Sequence, residues 1–241
     1  MSSPLQAIVF DFDGVIADSE PLHLKAFQQA LEEEGLVLER EEYFARYLGY
    51  DDVGVFEAIA RDRGLGWTDR HVTALVARKG TQLQAMLASG EVLFPGAVAF
   101  IRAAAAAVPI AIASGALRHE IVQIVRAAGL DSLFAAIVAA GDTPESKPSP
   151  APYLMAVHQL QQLTGNTLEP RRCVAIEDSF WGLESARGAG LRCVGVTTSY
   201  PAAELARAEL VVSGLDALTL EILERLVTEG GREHRHEERS R

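Results

Sequence analysis

Two carboxylates one residue apart follow an apolar run near the start of the chain. Residues 8–14 read Ile-Val-Phe-Asp-Phe-Asp-Gly. In an extended segment side chains i and i+2 point the same way, so Asp11 and Asp13 are expected to face one point while Phe10 and Phe12 face the core. Such a pair suits a divalent cation, a nucleophile and a proton carrier at one place.

Other polar residues follow three later strand-like segments. They are Ser114 with Gly115, Lys147, and Glu177 with Asp178. Because ligands bind beyond the carboxyl ends of the strands in an open parallel sheet, these side chains are expected to converge with the first pair. Carboxylates brought together repel one another unless a cation lies among them, and oxygen ligands favour Mg²⁺. The hydroxyl, the backbone N–H groups and the lysine can bind phosphate oxygens.

The elements that position these residues alternate between strand and helix in the second half of the chain. Strands are predicted at 5–10, 109–113, 135–139, 173–176, 193–196 and 210–212, and helices near 96–107, 117–128, 150–163, 180–188 and 219–227. Strands that alternate with helices of this length favour right-handed crossovers and a parallel sheet covered on both faces. The predicted fold class is α/β, with a doubly wound, Rossmann-like core.

A helical block interrupts this pattern directly after the first strand. Residues 18–90 show apolar positions at helical spacing with breaks at glycines, and no strand is evident there. Ser19 is the predicted N-cap of the first helix, because a proline follows in its first turn. We therefore predict a core built from 1–17 and 91–229, a separate helical domain at 18–90, and a disordered charged tail at 230–241.

Composition excludes several classes of protein. Lys and Arg number 22 against 33 Asp and Glu, a net charge of −11 that argues against a broad nucleic-acid or anionic-membrane surface. Neither a run of about 18 apolar residues nor a signal sequence is evident, so we expect a cytoplasmic protein without a membrane partner. We also expect a monomer or weak dimer. Cys173 and Cys193, each in a predicted buried strand, are expected to be free core thiols.

Four short motifs occur in order along the chain. They are Asp-Phe-Asp-Gly-Val at 11–15, Ala-Ser-Gly at 113–115, Lys-Pro-Ser-Pro at 147–150 and Ile-Glu-Asp-Ser at 176–179. In this order and spacing they resemble the motifs of the haloacid dehalogenase superfamily. The helical block resembles the small cap domain of the subfamily that includes β-phosphoglucomutase and phosphoglycolate phosphatase. The resemblance implies that 18–90 is a cap domain.

The resemblance also implies how the core residues act. Asp11 is expected to be the nucleophile that accepts the phosphoryl group, and Asp13 the acid and base. Ser114, Gly115 and Lys147 are expected to bind the phosphoryl group. Taken alone, Ser114 is most simply the N-cap of the helix that follows it.

The same resemblance assigns the metal ligands. Asp11, the carbonyl of Asp13, Asp178 and Glu177 are expected to hold Mg²⁺. An alternative is that Glu177 only orients Asp178.

Within the cap, four residues are candidates for substrate selection, namely Ser19, Glu20, His23 and Lys79. In the mutase pattern, the position of His23 helps control the acid/base residue, and that of Lys79 faces the substrate. The alternatives are a locally satisfied histidine and a solvated helix face, respectively. Asp52 replaces an arginine of that pattern and would repel a second phosphate, which favours hydrolysis over mutase activity.

The expected function is that of a magnesium-dependent phosphatase acting on a small organic phosphate monoester, such as a sugar phosphate or a phosphoglycolate-like acid. The alternative is a β-phosphoglucomutase-like mutase that uses the same aspartyl phosphate. A dehalogenase needs no acid at Asp13, and a non-catalytic binding protein would be expected to lack Asp11 or Asp13. The sequence argues against both.

Overall fold

A computed structural model of the chain describes residues 4–48, 50–87 and 92–237, with side chains described up to 228 in the last helix. The chain divides into two units. One, called here the core unit, joins Met1–Asp18 to Val92–Arg241, and the other, called here the insert, is Ser19–Glu91. These boundaries differ by one residue from the predicted limits of the helical domain.

The core unit contains a six-stranded sheet in which every neighbouring pair is parallel. Its strands are β1 (Ala7–Phe10), β2 (Ile110–Ala113), β3 (Phe134–Val138), β4 (Cys173–Glu177), β5 (Arg192–Val196) and β6 (Leu210–Val212). The order β3-β2-β1-β4-β5-β6 confirms the predicted doubly wound α/β core. Because the order reverses beside β1, the carboxyl ends of β1 and β4 are neighbours at the switch point.

Five helices accompany the sheet in the described part of the core unit. They are α5 (Ala97–Ala107), α6 (Arg118–Ala127), α7 (Ala151–Thr164), α8 (Phe180–Gly188) and α9 (Leu220–Glu237). The last helix corrects the prediction for the tail, since residues 230–237 are helical rather than disordered, and 238–241 lie outside the described residues. The sequence predicts a disordered tail because the apolar pattern ends near Val227. The helix nevertheless continues, because its backbone hydrogen bonds do not require an apolar face. Across the described ranges, no helix is both long and apolar enough to cross a membrane.

Strand β1 is buried on both faces, which is why its sequence is a continuous apolar run. Val9 packs in the same cluster as Tyr153 of α7 and Leu183 of α8. The ring of Phe10 meets Phe100 and Phe134 edge to face, with centroids 6.1 and 6.2 Å apart. Because successive side chains of β1 point to opposite faces of the sheet, the strand packs against helices on both faces. Asp11 follows directly at its carboxyl end.

In the described part of the insert, all regular secondary structure is helical. It consists of α1 (Glu20–Glu32), α2 (Arg40–Arg46), α3 (Asp52–Asp62) and α4 (Asp69–Leu87). The helices share an apolar core of their own, which includes Phe27 and Phe56. Asp51 caps α3, since its Oδ1 accepts the Gly54 N–H at 2.7 Å. Ser19 occupies the N-cap position of α1 as predicted, but its side chain makes no capping hydrogen bond because its backbone is already helical.

Both cysteines lie in the sheet of the core unit. Cys173 begins β4, Cys193 lies in β5, and both are free and fully buried. Burial raises the pKa of the Cys173 thiol to about 12. These are therefore core thiols, as expected, and their protonated state makes them poor nucleophiles.

Candidate active site

The first carboxylate of the site lies at the end of β1. Asp11 extends the β1–β4 ladder, with its N–H donating to Ile176 O at 2.9 Å, and its side chain is buried. Three residues on, Gly14 has a φ of 76°. A Cβ atom at this glycine would lie 1.8 Å from Oδ2 of Asp178. Only glycine therefore fits both the left-handed backbone and the close approach to the end of β4.

Lys147 connects the carboxylates that follow β1 and β4. Its Nζ donates to Asp11 Oδ1 at 2.7 Å and to Glu177 Oε1 at 2.6 Å. The side chain of Lys147 is 14% exposed and that of Glu177 fully buried. Three residues far apart in the sequence thus form one hydrogen-bonded chain at the switch point of the sheet.

Glu177 is enclosed by donors on both of its oxygens. Oε1 also accepts the Tyr153 hydroxyl at 2.7 Å, and Oε2 accepts the Asp178 N–H and the Ser179 hydroxyl, each at 3.2 Å. Its carboxylate lies so close to α8 that a Cβ at Gly182 would be 1.9 Å away. These donors are what a buried carboxylate requires, because an unpaired one is strongly unfavourable.

The carboxylates of Asp11, Glu177 and Asp178 form a compact acidic group. One oxygen of each lies within 4.8 Å of the others, and all three residues are buried. Burial, and then the charge of Glu177, raises the pKa of Asp11 well above its usual value and that of Asp178 to about 6. One ammonium does not neutralise three carboxylates. Oxygen ligands with uncompensated negative charge fit a hard divalent cation such as Mg²⁺.

Burial alone would lower the pKa of Lys147, but the carboxylates of Asp11 and Glu177 outweigh it and raise the pKa. The ammonium is therefore charged at every physiological pH. A permanent cation beside a buried carboxylate is suited to binding a phosphoryl group next to it.

The predicted phosphate-binding residues follow β2, the strand beside β1. Ser114 is buried, its N–H donates to Val138 O at 2.9 Å, and its Oγ accepts the N–H of Ala116 at 3.0 Å. The alternative that Ser114 caps the next helix is wrong, because α6 begins at Arg118 with Leu117 at the N-cap. Ser114 instead closes a local turn that exposes Gly115 at the carboxyl end of β2.

The other half of the predicted carboxylate pair, Asp13, lies in the loop after β1. It is half-buried and forms an isolated bridge with Ala17. The loop is closed by the Gly14 N–H, which donates to Ala17 O at 2.9 Å. Asp13 is thus held by a tight turn rather than by the strand.

Several residues around Glu177 escaped sequence reasoning. Tyr153 and Gly182 contact its carboxylate, and a hydrogen bond from the Ser199 side chain lowers the pKa of Asp178. Two of them left a signal in the sequence. A tyrosine on an apolar helix face needs a partner for its hydroxyl, and a glycine in a helix usually marks a close approach.

In the insert, Lys79 is fully buried. Its Nζ donates to Asp52 Oδ1 at 2.7 Å and Oδ2 at 2.9 Å, contacts His23 Nδ1 at 3.1 Å, and lies 4.8 Å from the centroid of Phe27. The alternative that Lys79 belongs to a solvated helix face is therefore wrong. Lys79 is buried because of a tertiary contact, since its partner carboxylate, Asp52, comes from the first turn of α3.

Two more polar contacts satisfy the predicted insert residues. Burial, and then the positive charge of Lys79, lowers the pKa of His23 to about 4, so that its neutral ring accepts from the ammonium. Glu20, the first residue of α1, accepts the hydroxyl of Tyr43. Ser19 is buried at the start of the same helix.

Comparison with known proteins relates this arrangement to characterised chains. Protein CbbY of Rhodobacter capsulatus is 34% identical over 206 residues, which cover 81% of this chain and 87% of that protein. The fructose-1-phosphate phosphatase YqaB of Escherichia coli (strain K12) is 28% identical over 189 residues, or 78% and 95% of the two chains. The crystal structure of CbbY from Rhodobacter sphaeroides in complex with phosphate aligns with a TM-score of 0.71 at 30% identity, covering 89% of this chain and 96% of that one.

A family model described as haloacid dehalogenase-like hydrolase matches residues 5–190. The match includes β1, the insert, and all four motifs from which the site is built. Together with relatives named as phosphatases, it supports an enzyme of the phosphatase class. The chain belongs to the haloacid dehalogenase-like hydrolase family.

Proposed function

We propose that the protein is a magnesium-dependent phosphatase that hydrolyses small organic phosphate monoesters through an aspartyl-phosphate intermediate. The observation that carries the proposal is the buried chain of hydrogen bonds from Asp11 through Lys147 to Glu177, with Asp178 beside it. It combines a nucleophile, a fixed cation and further oxygen ligands at a single point. The fructose-1-phosphate phosphatase among the relatives favours a sugar phosphate, and the phosphoglycolate phosphatase of Yersinia pestis leaves a phosphoglycolate-like acid open.

In the first step, a carboxylate oxygen of Asp11 attacks the phosphorus atom of the substrate. The bond from phosphorus to the ester oxygen breaks, and the proton of the Asp13 carboxyl goes to that departing oxygen. Asp11 then carries the phosphoryl group as an acyl phosphate, and the alcohol leaves.

In the second step, water attacks the phosphorus atom of the aspartyl phosphate while Asp13, now ionised, accepts a proton from that water. The bond from phosphorus to the Asp11 oxygen breaks, and inorganic phosphate leaves. Both aspartates return to their starting states, so the two steps together consume one water and one ester.

The ammonium of Lys147 favours the ionised form of the nucleophile and binds the group that Asp11 attacks. Burial raises the pKa of Asp11, whereas the adjacent ammonium of Lys147 lowers it. An ammonium has three protons. Two of them are directed at Asp11 and Glu177, and we assign the third to an oxygen of the phosphoryl group, together with the hydroxyl of Ser114 and the N–H of Gly115.

The residues that would hold Mg²⁺ are Asp11, the Asp13 carbonyl and Asp178, with Glu177 as a further candidate. When bound, the cation neutralises charge on the phosphoryl oxygens and so lowers the repulsion that an anionic nucleophile meets. The raised pKa values of Asp11 and Asp178 support this assignment, since a cation would return both groups to their ionised forms.

The mutase alternative gains no support from the insert. A mutase needs a cation for a second phosphate, but Asp52 already neutralises Lys79 within its cluster. The proposal that Ser19, Glu20, His23 and Lys79 select the organic part of the substrate stays a prediction. So do the cytoplasmic location and the monomeric or weakly dimeric state.

The test is replacement of the nucleophile. We expect Asp11→Asn to abolish hydrolysis of an aryl phosphate and of sugar phosphates, and excess chelator to abolish the activity of the unchanged protein. Asp131→Asn is a matched control, because Asp131 lies in a turn before β3 with its side chain 45% exposed. Turnover by the Asp11→Asn protein at the rate of the control would refute the mechanism, and full activity in chelator would refute the metal assignment.

A further inference from the structure

Tyr153 is a fully buried residue on the inward face of α7. Its hydroxyl donates to Glu177 Oε1 at 2.7 Å, and the centroid of its ring lies 5.2 Å from Lys147 Nζ. A buried phenol needs a hydrogen-bond partner, but nothing in packing requires that partner to be the carboxylate that also receives Lys147. Tyr153 therefore interacts with the phosphoryl-binding lysine in two ways. Its hydroxyl shares the Glu177 carboxylate with Lys147, and its ring lies beside the Lys147 ammonium.

The donors around Glu177 divide its carboxylate into two halves. Oε2 is fixed by the backbone N–H of Asp178 and the hydroxyl of Ser179, and Oε1 receives Tyr153 and Lys147. Without the Tyr153 hydroxyl, Lys147 is the single remaining side-chain donor to Oε1 among the residues that the structure describes. Oε1 then lacks a donor that is itself fixed by packing. The carboxylate of Glu177 can rotate, and the ammonium of Lys147 can move with it.

We propose that Tyr153 is a positioning residue, which fixes the Glu177 carboxylate and thereby holds the Lys147 ammonium against Asp11. This inference rests on the proposed phosphatase function and assigns the tyrosine no contact with substrate or metal. Burial, and then the charge of Glu177, raises the pKa of Tyr153 well above its usual value, so the hydroxyl is a permanent donor. The ammonium of Lys147 is 2.7 Å from the nucleophile, so a shift of an ångström separates the two.

The direct test is Tyr153→Phe, which removes one oxygen and keeps the ring. Loss of an outer hydrogen-bond partner of a site typically lowers activity about 10- to 100-fold, and we expect that loss in kcat, with KM changed less than about threefold. Tyr47→Phe is the matched control. Tyr47 is also buried and also donates to a carboxylate, Asp62 at 3.1 Å, but within the insert.

A second measurement needs no turnover and no metal. In ¹⁵N-labelled, metal-free protein we expect the ammonium protons of Lys147 to exchange with water faster in Tyr153→Phe than in the unchanged protein or Tyr47→Phe. If Tyr153 only contributed stability, Tyr153→Phe and Tyr47→Phe would both lower the free energy of unfolding. The exchange of the Lys147 ammonium protons would then be the same in both variants and in the unchanged protein.

A double-mutant cycle with Glu177→Gln identifies the route of the effect. If Tyr153 acts through Glu177, then Tyr153→Phe costs little further kcat in the Glu177→Gln background. Additive losses, or a Tyr153→Phe enzyme with kcat within twofold of the unchanged protein, would overturn the inference. If instead the unchanged protein hydrolyses no phosphate monoester, it is the proposed function that fails, and the exchange of Lys147 still reports on the positioning of the lysine.

Discussion

Gly182 and Gly80 are both helical glycines, and the same substitution is expected to act on them in opposite directions. Gly80 lies inside α4, where a Cβ atom would meet nothing within 4 Å. Gly182 lies in the first turn of α8, where a Cβ atom would be 1.9 Å from the Glu177 carboxylate. Helix propensity alone favours alanine at each position by about 1 kcal/mol.

At Gly182 the clash with Glu177 makes alanine destabilising despite its higher helix propensity. The Glu177 side chain is fully buried and held by donors on both oxygens, so it cannot move aside without losing at least one hydrogen bond to a charged group. Overpacking of this kind typically costs about 1–3 kcal/mol, and a lost charged hydrogen bond about 1.5–3 kcal/mol. After the propensity gain, we expect Gly182→Ala to lower the free energy of unfolding by about 3 kcal/mol. Gly80→Ala should raise it by about 1 kcal/mol.

The assay is urea unfolding followed by circular dichroism, with hydrolysis of an aryl phosphate measured in parallel. Because Glu177 also orients Lys147, Gly182→Ala should lose turnover as well as stability, whereas Gly80→Ala should retain turnover. The m values should be unchanged, so that the shift of the midpoint reports stability. A Gly182→Ala protein as stable and as active as the Gly80→Ala protein would refute the close approach of Glu177 to α8.

Two further predictions concern the cluster of charges in the insert. His23 has a folded-state pKa of about 4 against an ordinary value of 6.5, so the unfolded chain binds its proton first as the pH falls below 6.5. His23 should therefore contribute a loss of about 2–3 kcal/mol in the free energy of unfolding between pH 7.5 and 4.5, and thermal unfolding at the two pH values should show this contribution as the difference between the unchanged protein and His23→Asn. Equal losses in the two proteins would contradict the burial of a neutral ring. Asp52→Ala leaves the Lys79 ammonium buried without a counter-charge and should lower stability by about 3 kcal/mol, with Asp52→Asn losing less because the amide oxygen still accepts. Calorimetry that finds both variants as stable as the unchanged protein would contradict the pairing.

The strands and the catalytic rim could be predicted because both follow from short-range patterns. A continuous apolar run such as 5–10 predicts a strand buried on both faces, and in a parallel sheet everything that follows such strands meets at one edge. That geometry alone brings Asp11, Lys147 and Glu177 together. In the structure, Lys147 donates to both carboxylates, a detail that also depends on the loop after β3.

Residues whose state depends on a partner from another helix could not be predicted in this way. Arg78 and Lys79 read as a charged helix face, and the carboxylate of Asp52 that buries Lys79 is 27 residues away. Tyr153 reads as one more apolar position of α7, because its hydroxyl partner belongs to β4. Ser114 reads as a helix cap, but α6 begins too late to use it. For Lys79 and Tyr153 a distant polar group decided the role, whereas for Ser114 the start of the following helix decided it.

Lys79, which is buried, and Lys147, whose side chain is 14% exposed, differ in how their charge is balanced. Lys79 donates to both oxygens of Asp52 and to a neutral histidine, so its single charge is matched within its own cluster. Lys147 lies among three carboxylates, Asp11, Glu177 and Asp178, and its single positive charge does not match three ionised groups. Because unmatched buried charge is strongly unfavourable, these carboxylates either take up protons, as the raised pKa values of Asp11 and Asp178 indicate, or are paired by a cation. The repulsion among these carboxylates therefore supports our proposal that the core unit holds a divalent cation at this place.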